Sequence, residues 1–215
     1  MLSRVLLATC VALGAISTGL AGSRSTTTAG TPAAAVNQQR LDNADREPGQ
    51  WMGVGRTWSE QRFSPLKLIN DTNAQRLGLE WMAPLSTYRG VESTPLVIDG
   101  VMYNISAWDI TTAYDATNGK VLWTYDPKIS SEWARKACCG PVSRGLAAWE
   151  GKLYVAALDG RLIALDAKTG KPVWTTQTLD PAQPLSLTGA PKSPPALPMT
   201  TWPCAIRGAP VRDSG

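Results

Sequence analysis

Histidine is absent from all 215 residues, so the C-x-x-C-H motif that attaches haem cannot occur within this chain. Basic residues exceed acidic ones by only 21 to 17, and no run of Lys or Arg forms. That scatter argues against nucleic acid as a partner. Beyond the first twenty or so residues no apolar stretch approaches the length of a membrane span, so no span remains once the N-terminal segment is removed. Cysteine is scarce, at four residues. The rest is globular in character, 43% hydrophobic and 18% charged.

The chain opens MLSRVLLATCVALGAISTGL, a short n-region carrying Arg4 followed by an apolar stretch and the small residues around Gly19-Leu20-Ala21. This pattern predicts a secretory signal over residues 1–21 and a periplasmic destination, with an uncleaved anchor as the rival. Export means an oxidising compartment. Residues 22–35, GSRSTTTAGTPAAA, are small and repetitive and read as a flexible lead-in. A short helix is predicted between Val36 and Asp45, ended by the turn signal Pro48-Gly49. Strands and turns are expected from there on.

An internal repeat organises that region. AYDATNGKVLW (Ala113 to Trp123) and ALDAKTGKPVW (Ala164 to Trp174) align without a gap at an offset of 51, and the same offset superimposes Val101-Met102-Tyr103 on Lys152-Leu153-Tyr154. In each copy a strand ends at an aspartate, Asp115 or Asp166, suited to an Asx-type turn. Gly119 or Gly170 then supplies a positive φ, and a closing strand carries Trp123 or Trp174. Asp99-Gly100 and Glu150-Gly151 mark a second tight turn in each copy. NAQRLGLEW, ending at Trp81, is a fainter third echo. Short strands, frequent turns and a long period predict an all-β fold, a β-propeller of four-stranded blades with about two to three blades present.

Cys138 and Cys139 stand side by side within KACCGPVSRG. Neighbouring Cα atoms lie about 3.8 Å apart, below the usual disulfide range of about 4.4–6.8 Å. The residues alone leave open a strained vicinal bridge, two free buried thiols, or a bridge from one of them to Cys204.

These features together resemble the pyrroloquinoline-quinone (PQQ)-dependent alcohol dehydrogenases, secreted eight-bladed propellers. Their tryptophan docking motif, A-x-D-x-x-T-G-x-x-x-W, is matched in full by Ala164 to Trp174; Ala113 to Trp123 departs only at Asn118. Four further stretches resemble family segments: RGVESTPLV (Arg89 to Val97), ACCGPVSRGLAAW (Ala137 to Trp149), SLTGAP (Ser186 to Pro191) and WMGVGRTWSEQRFSPL (Trp51 to Leu66). The likeness covers residues 36–191. It implies that Glu92, Arg144 and Thr188 bind PQQ, and that Cys138 and Cys139 form a vicinal disulfide lying against one face of the quinone. Arg144 offers a cationic fork to a ligand with three carboxylates. Trp123 and Trp174 are expected to pack blades, and Trp108, Trp133 and Trp149 to lie in the core or rim.

The resemblance also implies a small primary alcohol as substrate, an aldehyde as product, and a soluble cytochrome c or fused haem domain as electron acceptor. A calcium ion is implied too, but its Gly-Ala-Glu segment is missing, and its asparagine ligand and the catalytic aspartate would lie past Gly215. Residues 192–215 are Pro-rich and leave the family pattern, so the expectation is a truncated or frame-shifted, inactive chain. Non-enzymatic propellers share the docking motifs, and an interaction or assembly scaffold is the alternative function.

Overall fold

The two copies of the repeat fold into two four-stranded antiparallel sheets in a computed structural model that describes residues 33–85, 87–137, 139–183 and 185–192. The first sheet runs in sequential order through β1 (Leu96–Ile98), β2 (Val101–Ile105), β3 (Thr111–Asp115) and β4 (Val121–Tyr125). The second repeats that order with β5 (Ala147–Trp149), β6 (Lys152–Ala156), β7 (Arg161–Asp166) and β8 (Pro172–Gln177). Each sheet is one blade of a propeller.

Turn chemistry sets the register in both blades alike. Asp99 and Gly100 take φ of 53° and 80°, and Glu150 and Gly151 take 45° and 77°, the paired left-handed geometry of a tight hairpin. At the β3–β4 turn the Asp115 carboxylate accepts from the Thr117 N–H at 2.9 Å, and at the β7–β8 turn Asp166 accepts from the Thr169 N–H at 2.8 Å. The Thr117 hydroxyl and N–H hold the exposed Asp115 carboxyl below the usual carboxylate range. A bulge falls at matching places, after Ala113 and after Ala164.

Burial drops at the outermost strand of each blade. The innermost strands are largely buried, whereas β4 and β8 are mostly exposed. Leu96, Ile98, Ile105, Leu153, Val155 and Ile163 belong to one apolar cluster that draws on both sheets. Non-directional burial of this kind drives blade stacking, while the tryptophans fix its geometry. The Trp123 indole donates to the Ala167 carbonyl of the second blade at 3.1 Å, and Trp81 donates in the same way to Ala116 of the first blade, also at 3.1 Å. The rings lie on the turn glycines: a Cβ added at Gly170 would stand 2.4 Å from Trp123, and one at Gly119 would stand 2.5 Å from Trp81.

Three features differ from the sequence reading. The predicted N-terminal helix is shorter, α1 (Gln38–Asp42), and a 3-10 turn at Ala44–Arg46 takes up its end. The third echo forms no strand among the described residues; a 3-10 turn at Ala74–Arg76 leads to Trp81, which keeps the docking role alone. A second helix, α2 (Ser131–Lys136), stands where strands and turns were expected. The Ser130 hydroxyl caps its first turn, and Glu132 near the start with Arg135 and Lys136 at the end suits the helix dipole.

Candidate cofactor-binding site

The segments that lead into the innermost strands of the two blades lie side by side. Thr94 and Gly145 form a parallel bridge, with the Thr94 N–H 3.4 Å from the Arg144 carbonyl. Gly145 has φ of 148°, and a side chain there would meet Ala190 and Val54 at 3.1 Å. Four chain segments, carrying Val54, Thr94, Gly145 and Ala190, therefore meet next to Arg144.

Three of the five sequence-predicted site residues converge there. The Arg144 guanidinium donates through Nη1 to the Thr188 hydroxyl at 2.6 Å, and its Nη2 pairs with Glu92 Oε2 at 3.1 Å. The Arg144 N–H also donates to the Thr188 carbonyl at 3.0 Å, so backbone and side chain both tie the two loops. Arg144 and Glu92 are each 44% exposed at the side chain. Ion pairs that open to solvent contribute about 0–1 kcal/mol, so stability alone is a weak reason for this arrangement. Among the described residues no other acceptor takes the remaining guanidinium N–H groups. The Thr188 hydroxyl, having accepted from Arg144, keeps its own proton to donate.

Cys139 is exposed, in a turn between α2 and Gly140. That exposure sets aside the buried-thiol alternative for this residue. Cys138 lies outside the described residues, and so does the expected tail beyond residue 192. Lys192 itself pairs with Glu60 at 2.9 Å. The tryptophans take packing roles: Trp149 borders the core, and Trp133 carries the Lys136 ammonium 4.2 Å from its ring centre.

One group was not foreseen. Asp109, in the link between β2 and β3, is 1% exposed and lies against the second blade. Its Oδ2 accepts from the Leu158 N–H at 2.7 Å, whereas Oδ1 is sealed from solvent without a hydrogen-bond partner. Burial pushes the Asp109 carboxyl up to about 7, helped by the charge of Asp159; the Leu158 N–H, the Ser143 hydroxyl and Arg161 oppose the rise. Nothing in Ala107-Trp108-Asp109-Ile110 signals a buried acid, because the burial is created by the neighbouring blade.

Residues 51–176 match the PQQ glucose/ethanol/alcohol dehydrogenase β-propeller domain. The chain belongs to that family. It is 51% identical over 160 residues to quinohemoprotein alcohol dehydrogenase ADH IIB of Pseudomonas putida, a span covering 74% of this chain and 23% of that protein. It is 49% identical over 145 residues to 1-butanol dehydrogenase (cytochrome c) of Thauera butanivorans, covering 67% of this chain and 21% of the relative. The crystal structure of quinohemoprotein alcohol dehydrogenase from Comamonas testosteroni superposes with a TM-score of 0.71 at 45% identity, covering 74% of this chain and 24% of that one. This family chain thus spans about a quarter of the length of the relatives it matches.

Proposed function

We propose that Glu92, Arg144 and Thr188 form one side of a PQQ site, and that the whole enzyme to which this site belongs oxidises primary alcohols to aldehydes. The observation that carries this reading is their convergence. Three residues, each singled out by a separate motif, meet at one solvent-open corner between two blades. When bound, PQQ supplies an ortho-quinone that can take two electrons from an alcohol.

The chain's own residues bind and orient. Arg144, with donors to spare, suits a ligand carboxylate, since a guanidinium presents paired N–H groups in a fixed plane. Thr188 adds a hydroxyl donor beside it. Glu92 balances the guanidinium charge and keeps its other oxygen to accept from a ring N–H or a hydroxyl, because a second carboxylate at that point would be repelled. Cys138 and Cys139, joined as a vicinal disulfide, would give the quinone a rigid platform. Strain of that sort persists where surrounding structure over-determines it, and α2 together with the Gly140 turn brackets the pair.

Among the described residues no three His, Cys, Asp or Glu side chains gather into one group, and no step is assigned to the calcium ion that the resemblance implies. The proposed acceptor of electrons is a cytochrome c or a haem domain, in keeping with the names of the relatives. The proposed compartment is the periplasm, reached by removal of residues 1–21. No helix among the described residues is long and apolar enough to cross a membrane.

Deleting the gene in its host tests the activity. PQQ-dependent oxidation of ethanol or 1-butanol by the periplasmic fraction should fall, and an unchanged rate would contradict the proposal.

A further inference from the structure

We propose that Asp109 is a positioning residue for the Arg144 loop: its carboxyl anchors the β2–β3 link on the second blade, and that link, through Trp108, holds residues 141–145 and so keeps Arg144 against Thr188 and Glu92. The inference rests on the proposed site for its purpose, but its geometry is independent of any ligand.

One hydrogen bond joins the β2–β3 link to that loop: the Trp108 N–H donates to the Pro141 carbonyl at 2.9 Å. Beside it, Leu158 in the β6–β7 turn donates to the Asp109 carboxyl at 2.7 Å. The carboxyl therefore ties its own blade to the next, and the adjacent Trp108 backbone ties the loop. Trp108 and Asp109 also take positive φ, 65° and 56°, an uncommon backbone for two consecutive residues other than glycine. Such a conformation persists only where its surroundings impose it.

Charge decides how firmly the link is seated. The charged groups facing Asp109 are Asp159, in the turn after β6, and Arg161, in β7, with opposite effects. Arg161 is already committed to Asp159 at 2.7 Å and to the Pro127 carbonyl at 2.8 Å. An ionised Asp109 would thus lack a dedicated cation, with one oxygen unpartnered. The neutral acid removes that cost.

The sign follows from linkage. Burial holds the Asp109 carboxyl at about 7 in the closed loop, against about 4 when solvated, so opening releases a proton between those values. Loop opening should therefore grow about tenfold for each unit that pH rises from about 4 to about 7, and level off above.

Hydrogen exchange in the full chain, without cofactor, reads this directly at the Arg144 N–H, which donates to Thr188. Rates are corrected for intrinsic exchange and measured from about pH 5 to about pH 8. Wild type should lose protection at Arg144 as pH rises and then plateau, while the amides of β6 and β7 serve as a control for the fold. Asp109→Asn, a neutral isostere, should give a flat profile. A flat wild-type profile, or one unchanged by Asp109→Asn, would overturn the proposal. Should the variant fail to fold, the wild-type profile decides alone. No PQQ is needed, so failure here is separable from failure of the cofactor reading.

Discussion

Arg144 shows how a motif becomes a site. Its sequence context, Ser143-Arg144-Gly145, names a candidate ligand residue but not its partners; the parallel bridge at Gly145 and the Thr188 loop supply them. Arg144→Lys keeps the charge but loses the planar fork, and PQQ affinity should fall about 10- to 100-fold, read by equilibrium titration. Thr188→Val removes one hydroxyl and should cost about tenfold in the same assay. The cysteine pair has its own readout. Non-reducing mass spectrometry of the peptide containing Cys138 and Cys139 should show it lighter by two hydrogens, and two alkylatable thiols would remove the platform from the account. Glu92, Arg144 and Thr188 could be singled out from local stretches that resemble family segments, and the structure brings the three side chains together. Their contacts could not be read in that way, since they depend on chain segments far apart. Asp109 was illegible for a related reason: a short polar side chain in a link reads as solvated until a second blade covers it.

Strands and turns obeyed local rules closely. Asp99-Gly100 and Glu150-Gly151 formed the tight hairpins expected of them; left-handed backbone at two consecutive positions selects Asp-Gly, while Glu150 takes a φ of 45° outside the preferred types, carried by Gly151 after it. Gly170 carried a second reason for glycine that the sequence did not disclose, the Trp123 ring resting on its Cα. This separates two substitutions that look alike. Gly100→Ala meets no atom within 4 Å and should cost about 1–2 kcal/mol from backbone strain alone. Gly170→Ala adds a clash at 2.4 Å with Trp123 and should cost about 2–4 kcal/mol. Urea denaturation of both variants checks the order, and equal costs would mean that the ring shifts freely. The helix α2 escaped notice because it is only six residues long, below the length at which periodicity speaks. The echo ending at Trp81 failed as a strand for the opposite reason: the indole docks as the repeat requires, yet Leu77 and Leu79 remain exposed with no adjacent strand among the described residues.

The molecule brings these parts together by repetition. Among the described residues a docking step in which an indole donates to the carbonyl of the next unit occurs twice, at Trp81 and Trp123, and ties each unit to the one after it. The candidate site lies where those inner strands begin, so blade geometry and ligand geometry are linked through Thr94, Gly145 and the Thr188 loop. The most direct test of that link is titration of the purified chain with PQQ, followed by quenching of tryptophan fluorescence, for wild type and Arg144→Ala. The account predicts saturable quenching in wild type and affinity at least about tenfold lower in the variant. Quenching that never saturates, or that is the same in both proteins, would contradict it.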